Sequence, residues 1–155
     1  MPGYFLGSSA IGKIYHVEIG TPVIQALVNQ ADSALFISRL AVIEVPSAFV
    51  GKVRTGHLTV DDIELLRARF RGDLRRKVLR TVAMKAGHFR DAERLINIHS
   101  VHSRLRTLDA VQLAVAIQLQ NRGLVEIFVC ADKALCRVAE SVGFAVLNPE
   151  TASQR

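Results

Sequence analysis

Residues 126–147 read EIFVCADKALCRVAESVGFAVL, and this stretch decides the fold class. Glu126 to Cys130 is short, apolar and bounded by polar residues, the pattern of a buried strand. Asp132 follows almost at once, and its carboxylate suits the free amides at a helix start. The helix is expected to run to Val142, Gly143 ends it, and Ala145 to Leu147 reads as another strand. A strand, a helix and a strand in so short a span predict parallel pairing, because parallel neighbours need a crossover between them.

The same alternation extends towards the amino terminus. Tyr4 to Leu6 reads as a strand, with Ser8 as the expected cap of a helix through Ile14. Thr21 before Pro22 predicts a helix start, since the hydroxyl can cap and proline loses no needed donor there; that helix should reach about Ala31. Ala34 to Ile37 reads as a second strand. Ser38 is the expected cap of a helix to Arg54, with Pro46 either kinking it or marking a late start. Thr59 and Asp62 form a capping-box pattern before a helix to about Arg71. Val78 to Val82 alternates weakly, as a strand would. Ala86 to His99 has helical spacing, and Thr107 should cap a long helix to Gln120. Strands alternating with helices predict an α/β fold with a mainly parallel sheet covered on both faces.

With 155 residues, half of them hydrophobic, the chain fits one well-buried domain over 1–155. No apolar run is long enough to span a bilayer, and Met1 to Gly20 lacks the pattern of a secretory leader, so a cytoplasmic protein without a membrane partner is expected. Cys130 and Cys136 suit neither a disulfide scaffold nor a four-ligand zinc site, and read as small core residues. The net charge of +6 favours polyanionic partners. Its excess is uneven: Arg67, Arg69, Arg71, Arg75, Arg76, Lys77 and Arg80 crowd one stretch, and Arg104 and Arg106 precede Asp109. This is either a phosphate-facing surface for RNA, or a solvated helix face or a patch for an acidic protein.

Three carboxylates stand in or beside segments that read as core: Glu44 within Leu40 to Val50, Asp109 within Leu108 to Leu119, and Asp132 behind the strand at 127–131. An acid in such surroundings is costly to desolvate unless a cation meets it, and a hard divalent metal held by oxygens is one answer. The predicted layout brings them to one sheet edge, where open parallel sheets bind ligands. Each also has a plain structural reading: Asp132 as a helix cap, Asp109 matching a helix dipole, Glu44 paired with Arg39 or Lys13.

Four segments together carry a resemblance: Tyr4-Phe5-Leu6-Gly7-Ser8-Ser9-Ala10, Ser38-Arg39-Leu40 leading to Glu44, Leu105-Arg106-Thr107-Leu108-Asp109-Ala110-Val111-Gln112-Leu113-Ala114, and Phe128-Val129-Cys130-Ala131-Asp132. In order and spacing the chain resembles the PIN-domain family, most closely the VapC-like toxins. The resemblance implies a three-layer α/β/α sandwich and a ribonuclease using Mg or Mn held by about four acids. By position, Glu44, Asp109 and Asp132 match the second, third and fourth, and Ser8 matches the hydroxyl residue after the first. The first acid falls on Gly7 and is missing, which implies weakened metal binding and turnover. An antitoxin-like protein partner and a homodimer are also implied. The alternative is a catalytically silent PIN-like module that binds an antitoxin-like protein or RNA.

Other chemistries find little support. His99 and His102 lack the spacing of a metalloprotease helix, and His16, His57 and His88 read as surface or boundary residues. No nucleophile elbow surrounds Ser8 or Ser9, and no phosphate-binding glycine loop is present.

Overall fold

The computed structural model describes residues 2–152. Five strands, β1 (Gly3–Leu6), β2 (Ala34–Ser38), β3 (Arg80–Val82), β4 (Ile127–Val129) and β5 (Ala145–Leu147), form one sheet. Their order is β3-β2-β1-β4-β5, and every neighbouring pair is parallel. Between them run α1 (Ser8–Tyr15), α2 (Thr21–Asn29), α3 (Ala41–Arg54), α4 (Val60–Arg75), α5 (Ala86–His99), α6 (Thr107–Asn121) and α7 (Lys133–Ser141), with a short α8 (Pro149–Ala152) that the sequence reading did not anticipate.

Side chains of the central strands alternate between the two faces, as the period of two requires. Phe5 and Phe128 face one core with Ala114, Val115, Leu119 and Val138 of α6 and α7. Tyr4, Leu6, Leu35, Ile37 and Val129 face the other, with Ile11, Ile24, Val45, Phe49 and Phe70 of α1 to α4. Helices therefore cover both faces, giving the α/β/α sandwich that the alternation of elements predicts. Ala110 to Ala116 are buried without interruption, so α6 is the inner helix of its layer rather than a one-sided surface helix.

The capping expectations are corrected at several points. Gly7, not Ser8, stands at the N-cap of α1, which frees the Ser8 hydroxyl for a longer-range contact. Gly20, in the left-handed region at φ 92°, precedes α2 in place of Thr21. The Thr21 hydroxyl instead accepts from the Glu18 amide at 3.0 Å and donates to the Lys13 carbonyl at 2.9 Å. Arg106 occupies the N-cap of α6, where Thr107 was expected, and no side chain caps it. Ser38 remains in β2, although its hydroxyl accepts from the Ala41 amide at 3.3 Å; α3 starts late, and Pro46 lies inside it. The Thr59–Asp62 capping box forms as the sequence predicts, but α4 continues past Arg71 to Arg75. His88 is buried rather than on the boundary. Its Nδ1 accepts from the Lys85 amide at 2.9 Å and its Nε2 meets Gln118 at 2.6 Å, tying α5 to α6.

Candidate functional site

Because all strands are parallel, the carboxyl ends of β2, β1 and β4 lie side by side at one edge of the sheet. The chain leaves β1 to one side for β2 and reaches β4 on the other, so this edge is a topological switch point, where such sheets open a crevice. The predicted site residues converge on it. Gly7 and Ser8 follow β1 directly, and Glu44 sits in the first turn of α3 after β2. Asp109 is in the first turn of α6, and Asp132 is the N-cap of α7 after β4.

Glu44 is fixed by neutral donors. The Ser8 hydroxyl donates to Glu44 Oε1 at 2.9 Å, and Gln112 Nε2 donates both to Ser8 Oγ at 2.8 Å and to the same Glu44 oxygen. The Arg39 or Lys13 pairing suggested for Glu44 is not what holds it; Lys13 pairs with Glu150 at 2.9 Å instead. Gln112 is the member of this group that sequence reasoning missed. It lies three residues beyond Asp109, so helical spacing puts it on nearly the same face, and only its polarity within a buried run could have drawn attention to it. It is buried, and its Oε1 has no hydrogen-bond partner among the described residues.

Asp132 fulfils its structural reading, with Oδ1 accepting from the Leu135 amide at 3.0 Å. Ser9 supports the same loop by accepting from the Ala131 amide at 3.3 Å. Asp109 shows that the acids feel one another. Burial, then the charges of Asp132 and Glu44, hold its carboxyl above the ordinary carboxylate range, while Arg106 acts in the opposite direction.

Position 7 has room for more than a hydrogen. The backbone of Gly7 is extended at φ −69° and ψ 159°, a conformation open to any residue. A Cβ there would meet the Val129 carbonyl oxygen at 3.4 Å and Cys130 Cβ at 3.6 Å, which is ordinary contact. The remaining donors are carboxylate oxygens, the right chemistry for a hard divalent ion. They are too few or too spread as they stand: among the described residues no three His, Cys, Asp or Glu side chains gather closely enough to hold one ion.

Of the four basic residues singled out for RNA, two stand beside the acids and two at the other end of the sheet. Arg106 acts on Asp109, and exposed Arg104 lies two residues before it. Arg75 and Arg76 end α4, which runs back to the start of β3. Arg76 lines a hollow with Ser33, Leu35, Val78 and Arg80 at the amino ends of β2 and β3, opposite the acids.

The PIN domain family model matches residues 4–141, most of the chain. The chain belongs to the PIN-domain family. The match takes in all five site positions, and solved structures repeat the PIN fold over nearly the whole length. VapC20 from Mycobacterium tuberculosis, a sarcin-ricin loop cleaving toxin, is 15% identical over 92% of this chain and 96% of its own, with a TM-score of 0.64. VapBC2 from Rickettsia felis, solved bound to a DNA fragment from its promoter, is 13% identical over 94% and 98%, with a TM-score of 0.63. A toxin-antitoxin complex from Klebsiella pneumoniae is 16% identical over 94% and 97%, with a TM-score of 0.60. At these identities the likeness is one of fold. No curated protein matches the chain in sequence. No helix among the described residues is long and apolar enough to cross a membrane.

Proposed function

We propose that this PIN domain is an endoribonuclease of the toxin-antitoxin kind, dependent on Mg or Mn, whose ion site is impaired by the missing carboxylate at Gly7. The observation that carries the reading is the convergence of Glu44, Asp109, Asp132 and the vacant side-chain position of Gly7 on one switch-point edge. Burial first, and then the charges of Asp132 and Glu44, raise the Asp109 carboxyl against the pull of Arg106, and a bound cation would relieve the charge-borne part of that shift. Ser8 and Gln112 orient Glu44, and Asp132 is held by the helix it caps. Arg104 and Arg106 are the basic residues placed to draw an RNA phosphate towards carboxylates that repel it. The solved neighbours with toxin-antitoxin names support an antitoxin-like protein as partner; a homodimer is part of the proposal alone.

A second reading has its own support. The described residues do not gather three ligating side chains, which favours a catalytically silent PIN module that binds an antitoxin-like protein or RNA. Both are tested by calorimetric Mn²⁺ titration and cleavage of a mixed RNA pool, on the parent chain and on Gly7→Asp in parallel. The impaired-nuclease reading expects the Asp form to bind Mn²⁺ more than about tenfold tighter and to cut, with the parent weak in both. Equal cleavage by the two would remove the role given to Gly7. Neither binding nor cleavage by either would favour the silent module.

A further inference from the structure

Cys130 follows β4, with its Cβ beside position 7, and Cys136 stands on α7; neither is one of the candidate ligands. They are small core residues, as the sequence predicts, and the fold makes them a pair. Both are free thiols, 0% and 8% exposed, with their sulfurs 2.8 Å apart. The Cys136 thiol also lies 3.4 Å from the Cys130 carbonyl oxygen. Backbone hydrogen bonds fix both ends: the Cys130 amide donates to Leu147 at 3.2 Å, and the Cys136 amide to Asp132 at 2.9 Å. A disulfide bond is about 2.05 Å long, so the two sulfurs need to close by only about 0.8 Å.

We propose that Cys130 and Cys136 form a reversible intramolecular disulfide, a redox modification site whose ring encloses Asp132. The oxidant is a small disulfide such as oxidised glutathione. Cys136, the more exposed of the two, loses its proton and attacks one glutathione sulfur, releasing one glutathione thiol and leaving a mixed disulfide. Cys130 then loses its proton and attacks the Cys136 sulfur, releasing the second glutathione. Two protons and two electrons leave the protein for one glutathione disulfide, and excess dithiol reverses both steps. The closed ring ties the strand end to the helix on either side of the Asp132 cap, so the oxidation state of the pair bears on how firmly that acid is held.

The sequence supplies the assay. Trypsin cuts after Arg122, Lys133 and Arg137, leaving Cys130 on the peptide 123–133 and Cys136 on the peptide 134–137. The native chain is equilibrated in glutathione buffers from reducing to oxidising, and separately with diamide, then blocked with iodoacetamide, digested and weighed without reductant. The expected result is a linked pair of these two peptides from monomeric chain, two hydrogens lighter than their sum. It should rise in a single step with oxidising poise, vanish on reduction, and be missing from Cys136→Ser. The proposal is overturned if the native chain keeps both thiols alkylatable with either oxidant while the urea-unfolded chain forms the linked pair. It is equally overturned if linkage joins separate chains only.

Discussion

Asp109 is where a single side chain sets folding against the proposed function. Its carboxyl is raised chiefly by burial and then by Asp132 and Glu44, so between the ordinary carboxylate value and its own, the folded chain holds more protons than the unfolded one. Stability therefore falls as pH rises through that window and stays lower at neutral pH. Asp109→Asn should raise Tm at pH 7 by about 1–3 °C, with the gain shrinking as pH falls towards about 4; thermal melts across that range check it. An unchanged melting temperature at every pH would mean that neither burial nor the neighbouring acids burden the Asp109 carboxylate. At Gly7 the balance differs. A new Asp gains a helix cap worth a few tenths of a kcal/mol but adds a fourth negative charge, so Gly7→Asp should melt within about 2 °C of the parent without metal. Added Mn²⁺ should raise the Tm of the Asp form more than that of the parent.

Elements meet through a few specific ties, and the one between α1 and α8 is the most exposed to test. Lys13 is almost wholly buried, its side chain 3% exposed, and its ammonium reaches Glu150 at 2.9 Å. Removing the acid alone leaves a charge inside without that partner, whereas removing the cation leaves a carboxylate that water can still reach. Glu150→Gln is therefore expected to cost about 1–3 kcal/mol, and Lys13→Met to cost less; urea unfolding of both variants decides it. The reverse ranking would show that the lysine acts through its aliphatic packing rather than its charge. The capping corrections belong to this scale too. Ser8, Thr21 and Thr107 have the right chemistry for caps, but glycine or arginine precedes each helix, and two of the hydroxyls are drawn into other contacts: Ser8 to Glu44, Thr21 to a backbone carbonyl. A local pattern gives the helix; it does not say which of two adjacent residues the backbone turns at.

Across the whole molecule the net charge of +6 is less informative than where it falls. Arg106 borders the acids, while Arg75 and Arg76 lie at the far edge of the sheet. If RNA enters at the acidic edge, Arg106→Ala should weaken RNA retention and lower the slope of log binding constant against log salt by about 0.7, the value for one single-strand phosphate contact. Arg75→Ala with Arg76→Ala should leave both nearly unchanged. Filter binding over a salt series reads both, and equal losses would mean that RNA wraps the whole basic surface. The alternation of strands and helices, the two-sided burial of β1, β2 and β4, and the positions of Glu44, Asp109 and Asp132 were legible in the sequence, because periodicity and misplaced charge are local properties of a chain. What only the tertiary structure decided depends on segments distant in sequence meeting. That is how Gln112 comes to hold Glu44 together with Ser8, how Lys13 finds Glu150, how Cys130 and Cys136 come into contact, and how Arg76 and Arg80 end up at the edge opposite the acids. The reason is physical: a parallel sheet sends each crossover helix back to the amino edge, so residues close along the chain part to opposite ends, while residues a hundred positions apart share one crevice.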